Sequence, residues 1–236
     1  MIPTYPEKSI QNILDPTPWW VKDTSKEVHR GRLIWAFIPY IDQIPYTVIP
    51  RVRTQATVHD KAELVIEPLR TNQIRSQADL PVAGMPIHPG EVRIVSRAKK
   101  RPVLIISEGG EPVAKSLILG KPKRQTALTI LVAPFAGGDQ DATRAGYSPE
   151  FLEHARCCEY PQFIYDKLPL GRVNESVLRL DHLQPIGKHH DSIEITDYCL
   201  SEVAMDIVDE YVTWIITGML PANGIINDVR KEFIDW

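Results

Sequence analysis

An α+β fold is what the sequence predicts: a small β-barrel closed by a helix near the C-terminus. Short runs of β-branched and apolar residues recur between Arg32 and Leu183, and glycines and prolines separate them. A sustained helical period is clearest at Ser201–Thr217, and no internal repeat is present. Many short strands followed by a helix suit a barrel-like sheet.

Residues 1–30 hold Pro3, Pro6, Pro16, Pro18 and the pair Trp19-Trp20 without a period, so they are expected to form an irregular arm docked by its tryptophans. Strand-like runs follow at Arg32–Ile38, Tyr46–Ile49, Glu63–Glu67, Val92–Val95, Val103–Ile106 and Leu128–Val132. Gly109-Gly110, Gly120, Pro122 and Gly137-Gly138 punctuate them as turns. Pro149–Arg156 is expected to be a short helix capped by Ser148. Gln162–Tyr165 and Ser176–Leu183 are expected as strands, with Leu178 and Leu180 inward and Arg179 and Asp181 outward. In the long helix, Val203, Ala204, Ile207, Val208, Tyr211, Val212, Ile215 and Ile216 make one apolar stripe. Ser201 is suited to cap it and Gly218 to stop it. The tail, 219–236, carries Ile225, Ile226, Phe233 and Trp236, which suggests docking.

The 236 residues, 43% hydrophobic, are enough for one large domain or two small ones and exclude disorder as the main state. No apolar run approaches the about 20 residues of a membrane span, and no signal peptide is visible, so a soluble cytoplasmic protein with no membrane partner is expected. Three cysteines, two of them adjacent, do not make a disulfide scaffold. Charge is uneven. Nine basic residues lie between Arg93 and Arg124 against Glu108 and Glu111, giving a window of +7 in a chain of net charge -3. That asymmetry suits a local anionic partner, or two solvated loops around a strand.

Gly90–Val95 followed by Lys100-Arg101-Pro102-Val103-Leu104-Ile105-Ile106-Ser107 resembles the first two strands of the PemK/MazF toxin family. Leu131–Phe135 resembles the family's apolar strand ending in proline. Val177–Asp181 resembles its Arg-x-Asp step, and Leu200–Val203 resembles the start of its closing helix. The match covers roughly residues 88–218. It implies an SH3-like barrel, with 31–87 as a β-rich extension or insertion. Gly31–Trp35 also resembles a family first strand, so a barrel starting at Gly31 and interrupted by 39–89 is the other placement. Two further departures stand out: Ala136 takes the place of a family Thr or Ser, and Ser96–Lys100 is a tight basic turn.

The resemblance implies a metal-independent endoribonuclease acting on single-stranded RNA, a homodimer, and an antitoxin or regulatory partner. The alternative is a catalytically inactive binding or regulatory protein on the same fold. Cleavage without metal needs a base for the ribose 2′-OH, charge neutralisation at phosphorus and an acid for the leaving oxygen. Strand residues i and i+2 share a side about 6.6 Å apart, so Arg179 and Asp181 are expected to flank one phosphate. Asp181 is a candidate base. Arg179 suits an electrostatic clamp, since a guanidinium keeps its proton. An ion pair of the two on the surface is the plainer reading. By resemblance Arg101 is the family's catalytic arginine, and Arg97, Lys99 and Lys100 are candidate RNA contacts. His182 is expected on the opposite face from Asp181. Phe135, Tyr147 and Tyr165 are candidate stacking platforms. His189-His190-Asp191 lacks a third ligand at zinc spacing, so no metal and no cofactor are expected.

Overall fold

The computed structural model describes residues 3–14, 17–52, 63–71, 90–121, 127–140, 145–171, 175–188 and 191–234. Lys123, Arg124, His189, His190 and Trp236 lie outside the described residues. In chain order the elements begin with α1 (Ile10–Ile13), β1 (Trp20–Lys22), β2 (Arg32–Pro39), β3 (Tyr46–Val52), β4 (Glu63–Pro68) and β5 (Ile94–Val95). Next come β6 (Ala98–Ser107), β7 (Thr129–Gly137), α2 (Pro149–Arg156), β8 (Phe163–Lys167) and β9 (Glu175–Arg179). The chain ends with β10 (Gln184–Gly187), β11 (Ile193–Leu200), α3 (Glu202–Thr217) and α4 (Ile225–Phe233).

The fold is α+β, and its sheets are mostly antiparallel. Two compact units divide the chain, one of residues 1–37 with 100–236 and one of residues 38–99. No helix among the described residues is long and apolar enough to cross a membrane.

In the larger unit, the strands run β1-β11-β2-β6-β7-β9-β8, with β10 also on β7, in a sheet that curls into a half-barrel. Leu33, Leu104, Ala133, Phe135, Leu178 and Leu180 line its buried face, and α3 packs there through Ala204, Met205, Ile207, Val208 and Tyr211. The caps of α3 follow the sequence. Ser201 Oγ accepts from the Ala204 amide at 3.3 Å, and Gly218 ends the helix at φ +74°. Helix α4 docks through Ile226 and Val229. Ser148 caps α2, its Oγ accepting from the Phe151 amide at 3.2 Å. Leu152 and Ala155 of α2 pack on Tyr165 and Val177.

The arm, which contains α1 and β1, docks by its tryptophans, and its anchor is Asp166. This carboxylate accepts from the indoles of Trp19 and Trp20, each at 3.1 Å, and from the Tyr5 hydroxyl at 2.7 Å. The Lys167 amide donates to it as well, at 2.6 Å. Burial pushes the Asp166 carboxyl up to about 7.

The smaller unit holds a three-stranded sheet in the order β4-β3-β5. Thr47, Val48, Ile49 and Pro50 are buried on β3, while Tyr46, Leu64, Ile66, Ile94 and Val95 are exposed.

Candidate functional site at a break in the sheet

Strands β9 and β10 lie along the same side of β7. Leu178 faces Phe135 and Gln184 faces Val132. Six residue steps on one side therefore span three on the other, so three extra residues are inserted in the ladder. They form a single 3-10 turn, Leu180–His182. Leu180 is buried in the core and its amide donates to the Gln162 carbonyl at 2.9 Å, which pins the turn to the chain entering β8. Insertions of this kind re-aim side chains and end regular pairing.

The turn, not strand alternation, brings Arg179 and Asp181 together. The expected strand to Leu183 stops at Arg179. The guanidinium then meets the carboxylate in a bidentate pair, Nε to Oδ1 at 2.7 Å and Nη2 to Oδ2 at 2.5 Å. Nη1 donates to the Tyr147 hydroxyl at 3.3 Å. His182 overturns its expected placement, since its Nε2 lies 2.6 Å from Arg179 Nη2 and 3.8 Å from Asp181 Oδ2. Once the ladder breaks, the period of two no longer sorts faces. Arg179, Asp181 and His182 keep 24%, 29% and 21% of their side chains exposed, so the group opens to solvent. Hydrogen bonding to Asp181 holds the Arg179 proton even more tightly than usual, which excludes it as an acid.

Aromatic rings continue the site. The Arg179 guanidinium lies 5.2 Å from the centre of the Phe163 ring, within the range of a cation–π contact. Phe163 meets Phe151 edge-on at 5.1 Å, and Phe151 stacks on Tyr147 at 4.6 Å and on Tyr160 at 5.6 Å. All four rings are half-buried. Of the three platforms expected from sequence, Phe135 and Tyr165 are buried at 2% and 1%, and only Tyr147 belongs here. Phe151, Phe163 and Tyr160 escaped the sequence reading because their proximity depends on α2 packing against β8. Tyr147 also lines a cleft of about 480 Å³, together with Asp139, Glu153, Arg156 and Glu175 among others.

The remaining candidates disperse. Arg101 is half-buried on β6, with β7 between it and β9. Lys100 pairs with Glu194 at 2.5 Å and lies 5.8 Å from the centre of the Trp35 ring. Arg97 and Lys99 belong to the smaller unit, where the Arg97 guanidinium sits 5.7 Å from the centre of the Tyr40 ring. The cysteines are buried thiols. Burial raises Cys158 to about 12 and Cys199 to about 11, so neither supplies a thiolate nucleophile.

No family model, no curated protein and no solved structure matches this chain.

Proposed function

We propose that the chain is a PemK/MazF-like, metal-independent endoribonuclease with an SH3-like barrel, and that single-stranded RNA is cut at the break between β9 and β10. One observation carries this reading: an arginine, a carboxylate, an imidazole and a phenol converge beside half-buried aromatic rings. Stacking on rings together with a cation for phosphate suits single-stranded nucleic acid. In the reaction, the ribose 2′-oxygen forms a bond to phosphorus and the P–O5′ bond breaks. Arg179 neutralises the phosphorane charge, and Asp181 orients the guanidinium. The 2′-OH proton passes to His182 Nε2 once the guanidinium turns toward the phosphate. Water supplies the proton to the leaving 5′-oxygen, and a 2′,3′-cyclic phosphate remains. His182 takes over the base role expected of Asp181, because both Asp181 oxygens accept from Arg179.

A second reading has its own support. The bidentate lock on Arg179 and the acidic lining of the neighbouring cleft suit a binding protein that takes a basic partner segment and does not cut RNA. Incubating a long single-stranded RNA in EDTA with wild type, Asp181→Ala and His182→Gln separates the two. New cyclic-phosphate ends with wild type alone support the nuclease. Intact RNA with folded wild type rejects it, and cleavage surviving both changes rejects the site.

A further inference from the structure

Asp23, His29 and Cys199 meet on the larger unit, where the loop between β1 and β2 folds over the end of β11. The loop is tied there by the Asp23 amide, which donates to the Asp197 carbonyl at 2.8 Å. Asp23 Oδ2 is 3.0 Å from His29 Nε2, His29 Nε2 is 3.5 Å from Cys199 Sγ, and Sγ is 3.6 Å from Oδ2. Bonds of about 2.0–2.3 Å at tetrahedral angles place the ligand atoms of a zinc ion about 3.3–3.6 Å apart. The three atoms thus already occupy one face of such a tetrahedron.

The surrounding contacts fit a ligand set. His29 Nδ1 lies 2.7 Å from the Arg30 carbonyl, an acceptor, so in the neutral ring with its proton on Nδ1 the Nε2 lone pair faces Asp23 Oδ2, itself an acceptor, at 3.0 Å. A hydrogen bond from the other ring nitrogen to a carbonyl orients metal-binding imidazoles in this way. Arg32, fully buried, aims Nη2 at Asp23 Oδ2 (2.6 Å), Ser25 Oγ (2.7 Å) and His29 Nε2 (3.0 Å). Two hydrogens on that nitrogen face three acceptors. A cation between Oδ2, Nε2 and Sγ resolves the excess and leaves Arg32 to orient the Asp23 carboxylate. The side chains of Asp23 and His29 are about one-third exposed, which leaves a path for entry.

We infer that Asp23, His29 and Cys199 form a binding site for one divalent cation of the zinc class, with the fourth position taken by water. The mixed oxygen, nitrogen and sulfur donors select a borderline ion over magnesium or calcium. Binding releases the Cys199 thiol proton to solvent, so the carboxylate and thiolate meet the ion's two charges, and the adjoining Arg32 guanidinium leaves the cluster with one net positive charge. Bound metal staples the arm to β11. The site is independent of the RNA reading.

The test is titration of the chelator-stripped full chain with Co²⁺, whose spectrum reports the ligands. One equivalent is expected to bring out the visible bands of a tetrahedral ion and a thiolate charge-transfer band. Cys199→Ser should abolish the charge-transfer band. His29→Gln, at a partly exposed position, should keep the fold by circular dichroism and weaken binding by at least about tenfold. Zn²⁺ should raise the thermal midpoint of wild type and not that of His29→Gln. Absence of bands in folded wild type at one equivalent, or an unchanged charge-transfer band in Cys199→Ser, overturns the site.

Discussion

Replacing Asp166 with alanine should detach the N-terminal arm, and the cost can be worked from its contacts. The carboxylate accepts from Trp19 Nε1, Trp20 Nε1, the Tyr5 hydroxyl and the Lys167 amide. Tyr5 keeps a second acceptor, the Lys167 carbonyl at 3.2 Å, but Trp19 and Trp20 are 3% and 0% exposed, with no access to water. At about 1–3 kcal/mol for each buried donor left unpaired, Asp166→Ala should lose roughly 3–5 kcal/mol near pH 4, where the folded carboxyl holds its proton, and less at neutral pH. Asp166→Asn, which retains one acceptor oxygen, should lose less. Urea denaturation followed by tryptophan fluorescence measures the loss, and limited proteolysis reports whether the arm is released. The pH dependence carries a sign. A carboxyl raised to about 7 by burial binds a proton in the folded chain that the unfolded chain has given up above about 4. Its contribution is therefore full below about 4 and is lost as pH rises through about 7. The slope is about 1.4 kcal/mol per pH unit in between, and Asp166→Asn should remove it. At about pH 4, a stability of Asp166→Ala within about 1 kcal/mol of wild type, with the arm still protected from protease, would show that Asp166 is not the anchor.

Two further substitutions probe the frame around the site. Ser201→Ala removes the α3 cap and should cost about 1 kcal/mol by denaturant titration, with no change in the secondary structure seen by circular dichroism. Gly109→Ala should be far more damaging. Gly109 sits at φ +86°, and a Cβ there would stand 1.8 Å from the Thr129 carbonyl oxygen at the start of β7, so a fall in thermal midpoint well beyond that of Gly110→Ala is expected.

Legibility in the sequence followed the length over which a pattern repeats. Helix α3 announces itself through four turns of apolar pairs, a serine cap and a glycine stop, and α2 through Ser148-Pro149. Strand β11 stayed hidden because Ile193 and Ile195 begin an alternation that a register shift interrupts before Cys199. Strand β1 has only three residues, too few for a period. The pairing of Arg179 with Asp181 was legible, but for the wrong geometric reason. Alternation along an unbroken strand suggested two side chains in a row, whereas three inserted residues fold one back onto the other. The same insertion reversed His182. Asp166, flanked by Tyr165 and Lys167, gives no local hint that it anchors an arm more than 140 residues earlier in the chain. The aromatic set around Arg179 is likewise a product of tertiary packing between α2 and β8.

In the proposed reaction Arg179 stabilises charge at the scissile phosphate. The most direct measurement is the single-turnover rate of RNA cleavage in EDTA by wild type and by Arg179→Ala, with folding of both checked by circular dichroism. Losing one preorganised donor to a developing oxyanion typically costs about 10²–10³ in rate. A loss of at least that size is expected for Arg179→Ala, with cyclic-phosphate ends from the wild type. Equal rates for the two proteins, or no cleavage by folded wild type, would contradict it.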